Sequence, residues 1–335
     1  MACWYKEADN ERSAIISSRV RLARNLSDMP FPRRMNSAMF GELKKRVKKA
    51  IEEVSADGVA ELKFIEMNDV PENEIKAMVE RHVISPAFAA DCLDRAIALS
   101  SDESISIMIG EEDHLRIQVT YAGFALDAAY DMADRLDTAL DEKLCFAYDS
   151  RLGYLTECPT NIGTGLRASV MLHLPVCESR GEISAVSDAA GKIGLTVRGM
   201  YGEGSKAIAS LYQISNQITL GISEKNAIEN LKAISSQIIE REKQGRKSID
   251  QTELEDTVFR AYGTLKYARK VNSEEFMKLI SLIKLGVDEG IIENMSIKPI
   301  EMLIEAQPAM LQKRFQPMSP QERDVARAET VRNLL

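Results

Sequence analysis

A glycine-containing loop that runs straight into a strand, at residues 158–170, limits the possible folds more than any other stretch of this chain. It reads CPTNIGTGLRASV. Pro159 fixes φ and lacks a backbone N–H, while Gly163 and Gly165 can adopt conformations that are closed to other residues. A planar guanidinium directly after such a loop, as in Arg167, suits a phosphate better than a flexible lysine does.

From Arg167 onward the side chains alternate, which predicts a half-buried strand. The predicted apolar face holds Ala168, Val170, Leu172 and Leu174, and the predicted polar face holds Arg167, Ser169, Met171 and His173. One arginine would therefore stand on the polar face of this strand, next to the glycine loop.

Length and composition predict a soluble globular protein with room for two domains. The chain has 335 residues, of which 45% are hydrophobic and 28% are charged. No apolar run approaches the ~20 residues that span a bilayer, and the N-terminus lacks the apolar segment of a signal peptide. We therefore expect no membrane insertion.

Cysteine usage and net charge limit which cellular compartment and which classes of binding partner are expected. Five cysteines without CxxC spacing argue against a disulfide framework and against a structural zinc site. The net charge of −8 argues against direct nucleic-acid binding, which needs a basic surface, and would suit a basic partner. These features predict a cytoplasmic protein.

Hydrophobic periodicity predicts strands and helices in the first part of the chain and helices alone in the last part. Strands are predicted at 61–66, 105–109, 114–121, 144–148, 153–158 and 212–220, and helices at 36–56, 72–100 with a break near Ser85, 124–141, 183–190 and 224–243. Residues 242–247 are the predicted linker. Beyond it we predict helices at 251–269, 273–288, 299–315 and 320–334. Ser319, Pro320 and Glu322 form the start signal of the last helix, with a capping box.

Four motifs resemble those of the phosphagen (guanidino) kinases, which transfer the γ-phosphoryl group of ATP to a guanidinium nitrogen. The loop at 158–170 is similar to the family signature, and SSRVR at 17–21 is similar to its S-[ST]-R-V-R element. GEEDHLRI at 110–117 resembles the family's NEEDHLRI, with Gly110 in place of asparagine. RGMYGE at 198–203 resembles its R-G-x-x-G-E pattern.

The resemblance implies a role for each motif. The catalytic carboxylates, which hold the substrate guanidinium, would be Glu112 and Glu203, and Cys158 would add a thiolate contact. The five phosphate-binding arginines would be Arg19, Arg21, Arg116, Arg167 and Arg198. The nucleotide site would also include Ser18, Val20, Leu22, Ala168, Ser169, Val170, Met171, Gly199, Met200, Tyr201 and Gly202. His82 matches a nucleotide-contacting histidine, although a histidine at a helix end explains it about equally well. Glu111 and Asp113 would help to hold the magnesium shell through water.

The same resemblance implies the fold class and the cofactors. We expect an α+β fold with an antiparallel β-sheet flanked by helices, of the guanido kinase and glutamine synthetase type. This catalytic domain would span residues 1–246, and an all-helical domain would span residues 247–335. ATP and Mg²⁺ are the expected cofactors, and the arginines and Mg²⁺ would offset the charge on the transferring group.

The end of the chain indicates which guanidine is phosphorylated. RDVARA at 323–328 resembles the RDxxRA element of the bacterial protein arginine kinases, which binds phosphoarginine and tunes activity. Its residues here are Arg323, Asp324, Arg327 and Ala328. The two arginines are one helical turn apart and could grip a phosphate; for an isolated motif of this kind a solvated helix is the alternative. Only 16 residues precede the S-[ST]-R-V-R element, so we expect no enclosing N-terminal domain and an open site.

The prediction is therefore a protein arginine kinase. The resemblance implies a bacterial stress response and protein quality control, in which marked proteins pass to a Clp protease, a zinc-binding adaptor activates the kinase, and the kinase forms a homodimer. One alternative is a kinase of free arginine or another small guanidino compound. Another is a non-catalytic phosphoarginine-binding regulator, against which the complete set of arginines and glutamates argues.

Overall fold

The computed structural model describes residues 3–8, 13–199, 208–294, 296–315 and 318–335. Its strands are β1 (Ile15–Arg24), β2 (Lys63–Glu66), β3 (Ala96–Leu99), β4 (Ile105–Ile109), β5 (Leu115–Ala122), β6 (Tyr148–Asp149), β7 (Gly153–Tyr154), β8 (Leu166–His173), β9 (Leu195–Gly199) and β10 (Leu211–Asn216). Its helices are α1 (Trp4–Glu7), α2 (Ser37–Ala56), α3 (Glu72–Glu80), α4 (Pro86–Ala90), α5 (Leu126–Leu144), α6 (Pro175–Ser179), α7 (Ile183–Gly191), α8 (Glu224–Lys247), α9 (Gln251–Tyr267), α10 (Ser273–Asp288), α11 (Pro299–Glu305), α12 (Pro308–Phe315) and α13 (Pro320–Leu334).

Within the described residues, eight strands form one sheet in the order β2-β3-β4-β5-β1-β8-β10-β9, and β6 pairs with β7 in a separate hairpin. The pairs β2–β3, β3–β4 and β4–β5 are antiparallel. The period of two along β5 buries Leu115, Ile117 and Val119 completely. The predicted α+β class with an antiparallel sheet is confirmed.

The chain divides into two compact units. The first comprises Met1–Trp4, Ser18–Ser169 and Ser215–Lys232, and the second comprises Tyr5–Ser17, Val170–Ile214 and Ala233–Leu335. The predicted domain boundary at 246/247 remains a prediction. None of the helices in the described ranges is long and apolar enough to cross a membrane.

In the first unit, helices cover the sheet. α5 packs against β5, and α2 packs against α5. The side chain of Asn36 accepts a hydrogen bond from the backbone N–H of Met39 and so caps α2. Leu43, Val47 and Val54 recur at helical spacing on its buried face, and each such side chain contributes roughly 1.5–3 kcal/mol by leaving water.

In the second unit, the C-terminal helices pack on one another. α9 and α10 approach closely at Gly286, because a Cβ there would lie 2.3 Å from Cγ1 of Val258. α13 packs against α9 and α12. The predicted capping box is confirmed, since the Ser319 hydroxyl accepts from the backbone of Glu322 and the Glu322 carboxylate accepts from that of Ser319.

Several predictions about elements are corrected, and one strand was not predicted. The predicted helix at 72–100 ends early, because residues 96–99 form β3, a short apolar run that pairs with strands on both sides and that periodicity cannot distinguish from a helix. The predicted linker at 242–247 is the last part of α8, with Glu242 and Arg246 buried. The face of β8 predicted as polar is buried except at Arg167, so this strand is buried on both faces. Residues 195–199, for which no strand was predicted, form β9.

Candidate active site

Arg21 lies near the positive charges of three other arginines of the first unit. The period of two along β1 puts Arg19 and Arg21 on one face, β5 supplies Arg116, and β8 supplies Arg167. Burial and the charge of Arg116 lower the pKa of Arg19 to about 10. Burial, followed by the charges of Arg19, Arg116 and Arg167, holds the pKa of Arg21 well below its usual value. We call these four residues the arginine cluster.

The cluster contains a donor that the described part of the chain does not satisfy. Among the described residues, Nε of Arg21 is buried without a hydrogen-bond partner. Arg24, on the same strand, has acceptors from distant parts of the chain beside it: its guanidinium donates to Asp137 at 2.8 Å and to the Thr164 carbonyl at 3.0 Å, and its Nε lies 2.8 Å from the Asp137 carboxylate. It also lies over the Tyr154 ring. A buried donor without an acceptor is costly, so the face that carries Arg21 suits an anion such as a nucleotide phosphate.

The loop between β4 and β5 brings two carboxylates to this cluster. Glu111 accepts hydrogen bonds from Arg116 at 2.8 Å and from the Ser85 hydroxyl at 2.7 Å, and its side chain is nearly buried. Glu112 accepts from Arg116 and from Asn161, both at 3.3 Å, and 38% of its side chain is exposed. Glu112 is therefore the more accessible of the two carboxylates.

Asp113 faces inward from the same loop. Its Oδ1 accepts from the Asn25 side chain at 2.6 Å and from the Glu157 backbone at 2.8 Å, and burial raises the pKa of this carboxyl. The next residue, His114, fixes the base of the loop: Nδ1 accepts from the Leu26 backbone, so Nε2 carries the proton that it donates to the Pro30 carbonyl.

A magnesium ion bound to nucleotide phosphates needs few protein ligands, because Mg²⁺ keeps several waters. Within the described ranges, no group of three acidic, histidine or cysteine side chains could hold a metal ion. Both predicted metal residues are buried. Glu111 lies beside Arg116 of the cluster, whereas Asp113 is hydrogen-bonded to the Asn25 side chain and the Glu157 backbone. Glu111 thus fits an outer-shell role better than Asp113 does.

The glycine loop positions the other side of the site. Asn161 donates to Glu112 and accepts from Arg167 at 3.4 Å, so it connects a carboxylate with the arginine cluster. Cys158 is partly exposed, and its Sγ lies 3.1 Å from the Thr160 hydroxyl. Gly163 has a φ of +113°, and a Cβ there would lie 2.1 Å from the carbonyl oxygen of Thr219. Only glycine allows this approach.

Sequence reasoning missed the residues that hold the site together. Asn161 and His114 stand inside the recognised motifs and received no role, and Asn25 follows the S-[ST]-R-V-R element. A polar residue next to a predicted charged site residue could have indicated these positions, because buried charges need hydrogen-bonding neighbours that are fixed in place. Sequence spacing cannot show that Asn25 and Asp113, 88 residues apart, form one hydrogen bond.

His82 lies after α3 in the left-handed conformation, with a φ of +60°. Burial and the positive charge of Arg19 lower its pKa to about 3, so the imidazole is neutral. The structure therefore places His82 near an arginine of the cluster.

The remaining predicted nucleotide residues of the first unit have buried side chains. They are Ser18, Val20, Leu22, Ala168 and Ser169. The Ser18 hydroxyl bonds the backbone of Gly123 and Ala125. Any contact of these residues with a nucleotide would therefore involve the backbone.

Other predicted residues belong to the second unit or lie outside the described residues. Val170 and Met171 are buried in β8, and Arg198 and Gly199 end β9, with Arg198 partly exposed. Met200, Tyr201, Gly202 and the predicted catalytic Glu203 lie outside the described residues.

The RDxxRA element forms part of α13. Arg327 is 1% exposed and donates to the carbonyls of Ala306 and Val271 and to the Asp324 carboxylate, at 3.0, 2.8 and 2.8 Å. Ala328 is buried and Arg323 is partly exposed. The described contacts of Arg327 therefore fix the helix, and Arg323 is the more accessible cation.

Two family models match the chain. Residues 42–245 match the C-terminal catalytic domain of ATP:guanido phosphotransferases. Residues 251–335 match the C-terminal domain of the protein-arginine kinase McsB.

Proteins named protein-arginine kinase are similar over nearly the whole chain. That of Halothermothrix orenii is 45% identical over 337 residues, which cover 99% of this chain and 96% of the relative. That of Brevibacillus brevis is 41% identical over 337 residues, covering 99% and 94%. A solved structure of the duplicated taurocyamine kinase from Schistosoma mansoni, with transition state analog components bound, has a TM-score of 0.62 at 24% identity. The match covers 73% of this chain and 37% of that one, and it shows the fold.

Proposed function

We propose that this chain, which belongs to the ATP:guanido phosphotransferase family and within it to the protein-arginine kinases, transfers the γ-phosphoryl group of ATP to the guanidinium of arginine residues in proteins. The observation that carries the proposal is the arginine cluster, with the buried, unsatisfied Nε of Arg21 and with Glu112 exposed beside it. The arginine cluster can bind a polyanion, and Glu112 beside it can bind a cationic phosphoryl acceptor.

The arginine cluster binds and orients the nucleotide. Guanidinium groups donate in pairs to phosphate oxygens, and a bound anion offsets the burial and the mutual repulsion that lower the pKa of Arg19 and Arg21. We assign Arg198 to the same phosphates on the family pattern. Mg²⁺, when bound to the nucleotide, supplies further charge neutralisation of the phosphoryl group.

Glu112 orients the acceptor. A carboxylate matches the planar guanidinium of a substrate arginine by two parallel hydrogen bonds, and Asn161 and Arg116 fix this carboxylate from two sides. We assign Glu203 as the second carboxylate and Cys158 as a further contact. In the transfer, the nitrogen–phosphorus bond forms, the bond from the γ-phosphorus to the ADP oxygen breaks, and a guanidinium proton passes to a carboxylate. ADP leaves with the electron pair.

The C-terminal helices carry the proposed regulatory element. Arg323, Asp324, Arg327 and Ala328 are assigned to phosphoarginine binding on the family pattern. The contacts of Arg327 support different roles for the two arginines. Arg327 anchors α13 by donating to the carbonyls of Ala306 and Val271, and the more accessible Arg323 binds the phosphate.

We also propose the cellular setting that the family pattern implies. The protein would act in the bacterial cytoplasm, in the stress response, on proteins with accessible arginines. Phosphorylated proteins would pass to a Clp ATPase and protease, a zinc-binding adaptor would activate the kinase, and the kinase would work as a homodimer.

The test is incubation with Mg-ATP and either an arginine-rich unfolded protein or free arginine. Acid-labile phosphate is then located by mass spectrometry. We expect phosphate on protein arginines, and we expect Glu112→Gln to abolish it. Glu229→Gln, on the exposed surface of α8, is the matched control and should leave the label unchanged.

The other outcomes point to other functions. Label on the free amino acid alone would make this a small-molecule guanidino kinase. Absence of label on both acceptors, with phosphoarginine still bound, would make it a binding protein.

A further inference from the structure

The backbone around His82 is held in an uncommon conformation at the end of α3. His82 has a φ of +60°, a region that residues with a Cβ seldom occupy and in which they are found mostly where neighbouring structure fixes them. The following residues, Val83 and Ile84, are buried in a core with Phe88. The backbone that follows His82 is thus anchored in the core, while the Arg81–His82 peptide is held by other contacts.

Two side chains from different parts of the first unit provide that support. The indole Nε1 of Trp4 donates to the Arg81 carbonyl at 3.1 Å, and the amide of Gln118 donates to the His82 carbonyl at 2.8 Å. The Trp4 and His82 rings lie 6.2 Å apart at 50°. Both carbonyls that flank the His82 side chain are therefore fixed by a directed hydrogen bond.

We propose that Trp4 is a positioning residue of the nucleotide site, which holds the Arg81–His82 peptide so that the imidazole faces the nucleotide beside Arg19. This rests on the proposed function and on the family pattern, which implies that His82 contacts the nucleotide. Trp4 is 4% exposed, and its backbone N–H donates to the Asp102 carbonyl. The indole is therefore fixed before any ligand binds. A preorganised contact binds more tightly because less freedom is lost on binding.

Arg81 provides the anchor on the other side of the peptide. Its guanidinium donates to Glu103 at 2.8 and 2.9 Å and to Glu74 at 2.8 Å, and these hydrogen bonds and charges raise its pKa. The side chain of Arg81 thus fixes the residue before His82, and Trp4 fixes its carbonyl. Phenylalanine in place of Trp4 keeps an aromatic ring there and removes the only donor that an indole has.

The experiment measures the affinity for Mg-ADP by calorimetry, which does not depend on catalysis. We expect Trp4→Phe to raise the Kd by about threefold to tenfold, the usual value of one hydrogen bond. The KM for ATP should rise in parallel, while kcat and the KM for the protein substrate stay unchanged. Tyr5→Phe removes the neighbouring hydrogen bond from α1 to Glu305 and should leave the Kd unchanged.

A double-mutant cycle shows whether Trp4 acts through His82. We expect His82→Ala to weaken ADP binding, and Trp4→Phe to add no further loss in that background. An equal loss in both backgrounds, no effect of Trp4→Phe in the wild type, or no effect of His82→Ala would each overturn the proposal. Normal ADP binding without arginine phosphorylation would overturn the proposed function and leave this inference standing.

Discussion

Buried arginines occur in both units, and their surroundings differ. In the second unit, Arg246 is 6% exposed and donates to Glu242 at 3.0 Å, to Glu289 at 3.1 Å and to the His173 carbonyl at 3.4 Å. Nearby carboxylates more than offset the cost of burial and raise its pKa. In the arginine cluster, burial and neighbouring cations lower the pKa of Arg19 and Arg21.

The difference separates structural cations from binding cations. A guanidinium surrounded by acceptors of its own chain is part of the fold, and removing it leaves unpaired carboxylates. A guanidinium that faces other guanidiniums costs folding free energy until an anion arrives. The two kinds should therefore respond in opposite ways to the same substitution.

Arg246→Met should give the largest loss of stability. Glu242 is fully buried and also caps α6 through the backbone N–H groups of Val176 and Cys177, so the loss of its partner leaves a buried charge. We expect the free energy of unfolding to fall by roughly 3–5 kcal/mol, measured by urea denaturation. Arg260→Met, at an exposed pair on α9, is the control and should leave the midpoint unchanged.

Arg21→Met should give the largest loss of activity at unchanged or higher stability. Removal of one phosphate donor costs about 10²- to 10³-fold in rate, which initial rates at varied ATP would report. Arg24→Met, three residues away on β1, should instead destabilise the fold because Asp137 loses its partner. Equal destabilisation by both substitutions would show that Arg21 is structural.

Gly163→Ala tests the loop that supports the cluster. A methyl group 2.1 Å from the Thr219 carbonyl, at a φ of +113°, forces the loop away from Thr219 and displaces Asn161. We expect a loss of about 1–3 kcal/mol in stability together with reduced activity of the remaining folded protein. Gly41→Ala in α2, where a Cβ meets nothing within 4 Å, should be neutral or slightly stabilising. A fully active Gly163→Ala protein would contradict this role.

The buried histidines of both units should make the stability depend on pH. Burial is the main cause of the lowered pKa of His82 and His114 in the first unit, and of His173, beside Lys284 and Arg246, in the second. Below the ordinary pKa of 6.5 the unfolded chain therefore binds protons that the folded chain does not.

Stability should then fall as the pH decreases from about 7 to about 5, by up to ~1.4 kcal/mol per pH unit for each histidine. Urea denaturation at several pH values measures this slope, and His173→Gln should reduce it. Stability that stays flat over this window would contradict the prediction.

Much of the first unit could be predicted from sequence patterns. The SSRVR resemblance placed Arg19 and Arg21 in one short element, and the GEEDHLRI motif placed Glu111, Glu112 and Arg116 at the turn between two predicted strands. These predictions worked because the atoms involved are close in sequence, where backbone geometry alone relates them. The capping box at Ser319 was predictable for the same reason.

Predictions from sequence patterns were wrong where contacts with distant parts of the chain decide which residues are buried. β3 has four apolar residues that would suit a helix, and its pairing with β2 and β4 made it a strand. The polar residues of 242–247 suggested a linker, but Glu242 and Arg246 are buried with partners more than 40 residues away, including Val176, Cys177 and Glu289.

The sequence by itself determined which charged groups the protein has and, over a few residues, which way each one points. Only the tertiary structure decided which of the arginines are paired. Arg24 and Arg21 look alike in the sequence, yet Arg24 pairs with Asp137, whereas Arg21 lies near three other arginines and the carboxylate of Glu111. The physical reason is that the free energy of a buried charge depends on the groups around it, and the fold brings those groups from distant positions in the chain.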